Sequence, residues 1–387
     1  MLTVTFIIVV CLSPVELQIR YISTLPGQQA PGIMLEFGNE LYTDQGMPYF
    51  PNGSAYGKAM VPIVACARQL MPRAKLGACG SGYGRAYGDW NEGLRPYMHL
   101  FDGITHHNYN PRTRDVMALP KNIQASYVAG YSRAAARKDF RQTSESLGGI
   151  VKPLWLTEFG YGLESAGQCL MPDLVFGALH GAFHAARILA AIEQPGSYGA
   201  VTFETFAWRD PPPANYPQDW CGMPAGTATP GHTNRPDLAR VSGTGQLIAH
   251  LSARALAMST MHPVEIVGHA PLLQMDILGE QQPCLQAAAF RGKKSAEAVL
   301  AILNICNTTI PVTLEGGGSV TVYDLMDPGG KAGLPAKPDD FPWPEPLHAT
   351  TGKVPASGVY TAEPLSFAIV DCVTEPLSLA SAALKTV

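Results

Sequence analysis

Charge is scarce in this sequence and nearly balanced: Asp, Glu, Lys and Arg make up 15% of the 387 residues and leave a formal net charge of −4. Nothing in that balance argues for capture of nucleic acid or of an anionic lipid surface. The eight cysteines include no C-x-x-C pair, so neither a zinc knuckle nor a thioredoxin-type motif is present, and disulfide pairing stays open. Long apolar runs are missing too. The stretch Met1 to Leu12 is too short to span a membrane. Gly80-Ser81-Gly82-Tyr83-Gly84 looks like a phosphate loop, but Arg85 stands where the dinucleotide fingerprint needs a glycine.

What is present is apolar material, 46% of the chain, enough to bury a large core. Two stretches share one design. Ile33-Met34-Leu35-Glu36-Phe37-Gly38-Asn39-Glu40 is an apolar run closed by an amide and a carboxylate, and Pro153-Leu154-Trp155-Leu156-Thr157-Glu158-Phe159-Gly160 is a second short apolar strand closed by Glu and a nearby Gly. Parallel α/β barrels carry their catalytic groups at the carboxyl ends of strands, where the loops form the open face. Two carboxylates so placed suit glycoside hydrolysis, in which one acid protonates the leaving oxygen and the other carboxylate attacks or activates water.

Taken in order, the pattern alternates. An apolar, β-branched amino terminus (Leu2 to Val10) reads either as a signal-peptide core or as a buried strand; it lacks a basic flank. Helical spacing is expected over Pro14 to Leu25, and over Ser54 to Leu70 with Ala59, Ile63, Ala67 and Leu70 facing inward. A strand follows at Lys75 to Cys79, a short helix at Trp90 to Leu100, and a strand from Phe101 to Tyr109 that runs into His106-His107-Asn108-Tyr109. A solvent-facing amphipathic helix is expected over Asn122 to Leu147 and a more buried one over Asp173 to Glu193. Tyr198 to Trp208 reads as a further strand, followed by a Pro/Gly-rich loop to about Leu238 and a last helix from Gly245 to Met258. Consecutive short β-runs then replace the alternation. This places a domain boundary near Ser259, with residues 1–258 forming a barrel-type catalytic domain and 259–387 a β-sandwich domain, within which Asp327 to Pro355 is a loop.

Gly38-Asn39-Glu40, His107-Asn108-Tyr109, Leu156-Thr157-Glu158 and Trp208 together resemble the fourth, sixth, seventh and eighth strand ends of the retaining glycoside hydrolases of clan A. Heparanase and β-glucuronidase-like enzymes look most similar, with α-L-arabinofuranosidases close behind. The resemblance implies a (β/α)8 TIM barrel in which Glu40 is the acid/base and Glu158 the nucleophile. It further implies substrate contacts from Asn39 to the sugar 2-hydroxyl, from His107 and Tyr109 beside it, and from Trp208 as an apolar floor. No cofactor or metal is implied, and the partner is an oligo- or polysaccharide or glycoside.

If Ile33 begins the fourth barrel strand, only one strand, Leu2 to Val10, precedes it. The chain then represents barrel strands three to eight, lacking about the first two β-α units, and the amino terminus is better read as a strand than as a signal peptide. A catalytically impaired carbohydrate-binding pseudoenzyme, or a fragment of a hydrolase, is the alternative reading. Glu36 and Glu204 are acids inside strands; Glu36 shares the parity of Glu40 and is expected to point inward and to be paired, as a buried carboxylate must be. Asn52-Gly53-Ser54 and Asn307-Thr308-Thr309 are sequons that suit a secreted, lysosomal or vacuolar protein, with chance occurrence the alternative. Oligomeric state is not legible.

Overall fold

The computed structural model describes residues 2–6, 12–25, 33–43, 46, 48–81, 89–112, 115–116, 118–150, 152–162, 178–193, 206–208, 239–241, 243–256, 260–267, 271–292, 297–314, 317–325, 347–355, 357–373 and 383–386. Contacts divide the chain into two compact units. The first comprises residues 1–108, 136–159 and 194–201, the second residues 109–135, 160–193 and 202–387.

The first unit is built on a sheet of five strands that adjoin in sequence order: β1 (Leu2–Phe6), β2 (Ile33–Phe37), β3 (Lys75–Cys79), β4 (Gly103–Arg112) and β5 (Leu154–Gly162). The pairings β1–β2, β2–β3 and β3–β4 are parallel, with Val4 opposite Leu35, Leu35 opposite Leu76 and Ala78 opposite Ile104. Parallel neighbours need a crossover, and helices supply it: α1 (Leu12–Thr24) after β1, α2 (Gly53–Leu70) after β2, and α3 (Trp90–Leu94) with a 3-10 turn at Arg95–Leu100 after β3. All five residues of β2 are buried, the signature of a strand covered on both faces. The amino-terminal stretch expected as a strand is one over Leu2–Phe6; residues 7–10 lie outside the described residues.

Helix α2 shows how sequence fixes the crossover. Asn52 caps it, its side chain accepting a 2.9 Å hydrogen bond from the Ala55 amide. Tyr56, Met60, Ile63, Val64 and Ala67 form its buried face, each large apolar side chain contributing about 1.5–3 kcal/mol of transfer free energy. The face is rotated relative to the expected one, since Ala59 and Leu70 are half-buried. Tyr56 is the reason. Its hydroxyl donates to the Phe37 carbonyl (2.7 Å) and accepts from the Cys79 amide (3.0 Å), stitching together the carboxyl ends of β2 and β3. Trp90 Nε1 adds a 2.9 Å bond to the Cys79 carbonyl.

In the second unit, helices α4 (Lys121–Ser146, shared in sequence with the first unit), α5 (Ala178–Ile192) and α6 (Gly243–Leu256) precede a run of strands that begins at Thr260. A six-stranded sheet runs in the spatial order Ala349–Lys353, Gly317–Asp324, Ser366–Val373, Glu297–Asn304, Leu285–Arg291 and Thr260–Pro263. A four-stranded sheet contains Val359–Ala362, Ile310–Thr313, Ala383–Thr386 and Glu265–Val267. Phe367 and Ile369 of the larger sheet and Val312 and Tyr360 of the smaller share one apolar core. A disulfide joins Cys284 to Cys306 across a Cα–Cα distance of 5.1 Å.

Three expectations are corrected. Helix α4 is not solvent-facing: Ala125, Val128, Ala129, Ser132, Arg133 and Ala134 are buried. Its small Ala and Ser side chains allow close approach, Ser132 Oγ donates to the Phe183 carbonyl (2.9 Å), and buried Arg133 reaches the Glu193 carboxylate at 3.4 Å. The charge that looked like a solvated face is partly an internal ion pair. Within the supposed loop from Asp327 to Pro355, Ala349–Lys353 is an edge strand paired to Gly317–Asp324. It is exposed along its length, so main-chain bonding holds it without an apolar run. Finally, the described part of the expected eighth barrel strand, Phe206–Trp208, pairs antiparallel with Ala239–Val241 in a two-stranded sheet, and the intervening residues 209–238 lie outside the described residues. Residues 198–205 lie outside the described residues. Among the described residues the structure is thus a parallel half-barrel sheet with additional β-sheets, and no helix is long and apolar enough to cross a membrane.

Candidate active site

The turn after β2 and the middles of β4 and β5 bring three ionisable groups together in the first unit. Glu40 stands just beyond β2 on a turn that needs special backbone geometry. Gly38 has φ +107°, and a Cβ there would meet Leu41 Cδ1 at 2.3 Å, so glycine is required. Glu40 itself has φ +48°, a left-handed conformation unusual for a residue with a Cβ and one that concentrates at functional sites. Thr43 secures the turn, its amide and hydroxyl donating to the Glu40 carbonyl at 2.9 and 2.8 Å. Asn39, the preceding residue, is exposed.

His107 is the hub. Its Nδ1 lies 3.1 Å from Glu40 Oε1 and 3.2 Å from Glu158 Oε2, and its Nε2 lies 3.5 Å from Glu36 Oε1. Thr157 Oγ1 donates a 3.0 Å hydrogen bond to that same Glu36 oxygen. Exposure is graded: the Glu40 side chain is 35% exposed, Glu158 14%, His107 3% and Glu36 2%. Burial disfavours charge on His107, but the hydrogen bonds to Glu36 and Glu40 and the charge of Glu158 outweigh it and push the imidazole up to about 9. At neutral pH the ring is an imidazolium that donates from both nitrogens.

The ligand atoms of Glu40, His107 and Glu158 lie within 4.8 Å of one another, close enough for one cation to reach all three. A metal ion there would compete with the proton on His107, so its binding would weaken as pH falls. Cys79 and Tyr56, packed beneath, are raised by burial and stay neutral.

On the other face of β4, His106 and Asn108 turn toward Asp139 of α4: His106 Nε2 lies 3.9 Å from its carboxylate, and the Asn108 side-chain amide donates to it. The pleat thus divides His106-His107 between two environments.

Of the residues singled out from sequence, Glu40, His107 and Glu158 converge, and Asn39 lies beside them in the chain. The backbones of Tyr109 and Trp208 are in strands, but their side chains lie outside the described residues. Glu36 is buried and paired as expected; what sequence reasoning missed is its partner. The signal was there in part, because Glu36 shares strand parity with Glu40, but the histidine it meets lies two strands away in the sheet order.

No protein-family model matches the sequence, and none of the curated proteins does. Solved structures do match. A family 51 α-L-arabinofuranosidase from Bifidobacterium longum aligns over 88% of this chain and 67% of its own, at 13% identity and a TM-score of 0.55. In fold, the chain is similar to the family 51 α-L-arabinofuranosidases. An α-L-arabinofuranosidase from Thermotoga maritima, solved in complex with arabinose, aligns over 92% of this chain and 73% of its own, at 14% identity and a TM-score of 0.53. A further arabinofuranosidase gives the same coverages at 13% identity and a TM-score of 0.54. These arabinofuranosidases are among the glycoside hydrolases that the strand-end motifs resemble; at such identities the likeness is one of fold, and the chemistry must be argued from this chain's own residues.

Proposed function

We propose that this chain is a retaining glycoside hydrolase that cleaves O-glycosidic bonds by double displacement, with Glu158 as nucleophile and Glu40 as acid/base. One observation carries the reading: both carboxylates lie within 3.2 Å of the same imidazole nitrogen, with oxygens within 4.8 Å of each other. Retention calls for carboxyl groups about 5–5.5 Å apart, whereas inversion needs roughly 6.5–9.5 Å to admit a water between them. Glu158, the less exposed of the two, attacks the anomeric carbon while Glu40, at the open edge, protonates the leaving oxygen. Glu40 then takes a proton from the water that releases the sugar.

In this reading Asn39 and Tyr109 contact the sugar and Trp208 packs against its ring. Residues 1–258 form the barrel-type catalytic domain and 259–387 a β-sandwich domain. The end of α6 at Leu256 and the run of strands from Thr260 support that division. Passage through an oxidising compartment, secretory, lysosomal or vacuolar, is supported by the Cys284–Cys306 disulfide and by sequons whose Asn52 and Asn307 are exposed. The fold likeness makes aryl α-L-arabinofuranosides the first substrates to try, within a panel of aryl glycosides. Proton NMR of the first-formed product should show the anomeric configuration of the substrate; an inverted product, or no hydrolysis of any glycoside by folded protein, overturns the proposal.

A further inference from the structure

The catalytic reading uses Glu40 and Glu158 and leaves a third carboxylate, Glu36, unexplained. It is buried to 2% side-chain exposure, which makes it expensive to ionise unless it is well partnered. Its partners include Thr157 Oγ1 at 3.0 Å and His107 Nε2 at 3.5 Å. Through His107 it reaches the ring that holds both reacting carboxylates.

A neutral imidazole has one N–H and one lone pair. If Nε2 carried the only proton, Nδ1 would turn a lone pair toward Glu40 and Glu158; if Nδ1 carried it, Nε2 would face Glu36 with a lone pair. Only the imidazolium satisfies both sides. With Glu36 neutralised, its carbonyl oxygen could still accept from Nε2, but the charge that favours a second proton on the buried ring would be gone.

We propose that Glu36 is a positioning residue: anchored by Thr157, it fixes the orientation and the second proton of His107, whose opposite nitrogen holds Glu40 and Glu158 at their catalytic separation. The inference rests on the glycosidase reading for its purpose but not for its measurement. Among the described residues, the charged groups facing the ring are Glu36 from β2, Glu40 from the turn after it and Glu158 from β5. Tyr56 and Cys79 also lie in the field of Glu36, and burial keeps both neutral. Burial opposes the imidazolium and Glu36 is among the groups that outweigh it, in accord with the geometry.

The test is a titration of His107 by NMR of protein labelled at histidine, the signal being assigned with H107Q. In the wild type the ring should remain charged at pH 8; a ring already neutral there overturns the proposal. In E36Q, which keeps the shape and the Thr157 contact, the proton affinity of His107 should fall at least tenfold, about one pH unit. An unchanged titration overturns it. Should E36Q not fold, E36D decides in its place: the shorter side chain keeps its charge but draws back from Nε2, so a weaker shift in the same direction is expected and none contradicts the idea. Activity supplies the second readout. E36Q should lose kcat/KM progressively as pH rises from 5 to 8 while the wild type does not lose it to the same degree; parallel profiles would reduce Glu36 to a structural role. Because the titration needs no substrate, a protein that titrates as expected yet hydrolyses nothing would refute the glycosidase reading and leave the Glu36–His107 link standing.

Discussion

Nδ1 of His107 lies 3.1 Å from the carboxylate of Glu40, a contact that joins the turn after the second strand to the middle of the fourth. The same nitrogen reaches Glu158 at 3.2 Å, so one buried ring sets the separation of the two groups proposed to do the chemistry.

Removing either carboxylate should impair turnover by distinct routes. E158Q should abolish hydrolysis of all glycosides. E40Q should lower kcat/KM by about 10²–10⁴-fold for poor leaving groups, the usual range for general acid–base catalysis, and by less for activated aryl leaving groups that need no proton. Steady-state kinetics on both substrate types checks the split.

His107 also links stability to pH. Its affinity for protons is raised in the folded state, from an ordinary 6.5 to about 9. Between those values the folded chain binds more protons than the unfolded one, so stability present below about pH 6.5 is lost as pH rises through about 9. The loss is on the order of 3 kcal/mol for a shift of this size. Urea unfolding at pH 6 and pH 9.5 should show it, and H107Q should flatten the dependence.

Tyr56 secures the ends of β2 and β3 through its hydroxyl. Y56F leaves a buried carbonyl and a buried amide without that partner and should destabilise the fold by about 1–3 kcal/mol. Chemical denaturation measures this directly, and activity per folded molecule should fall as well because Gly38 and Glu40 follow immediately on β2.

The Cys284–Cys306 disulfide closes a segment with a sequence separation of 22 in the second unit. Replacing both cysteines with alanine should cost about 2–4 kcal/mol. Melting with and without reductant should reproduce the difference in the wild type and show none in the double variant.

Much of this was legible in the sequence for physical reasons. Ile33–Phe37 and Lys75–Cys79 read as strands because short, largely apolar runs of that length suit a sheet buried on both faces. Glu36 could be placed inward by parity with Glu40. What escaped were relationships set by neighbours distant in the chain. Helix α4 looked solvated because Arg133 is charged, but its partner Glu193 arrives from far along the sequence. Ala349–Lys353 has no apolar pattern to announce a strand, since an edge strand is held by main-chain bonds. The meeting of His107 with Glu36 depends on which strands adjoin, which no local motif encodes.

If Glu158 is the nucleophile, it forms a covalent bond to the sugar that can be trapped. Folded protein incubated with activated 2-deoxy-2-fluoroglycosides, the arabinofuranoside among them, should gain the mass of one glycosyl group, and peptide mass spectrometry should place it on Glu158, with none on E158Q. A glycosyl group found on another residue, or hydrolysis of the parent glycosides with no covalent species, would contradict the account.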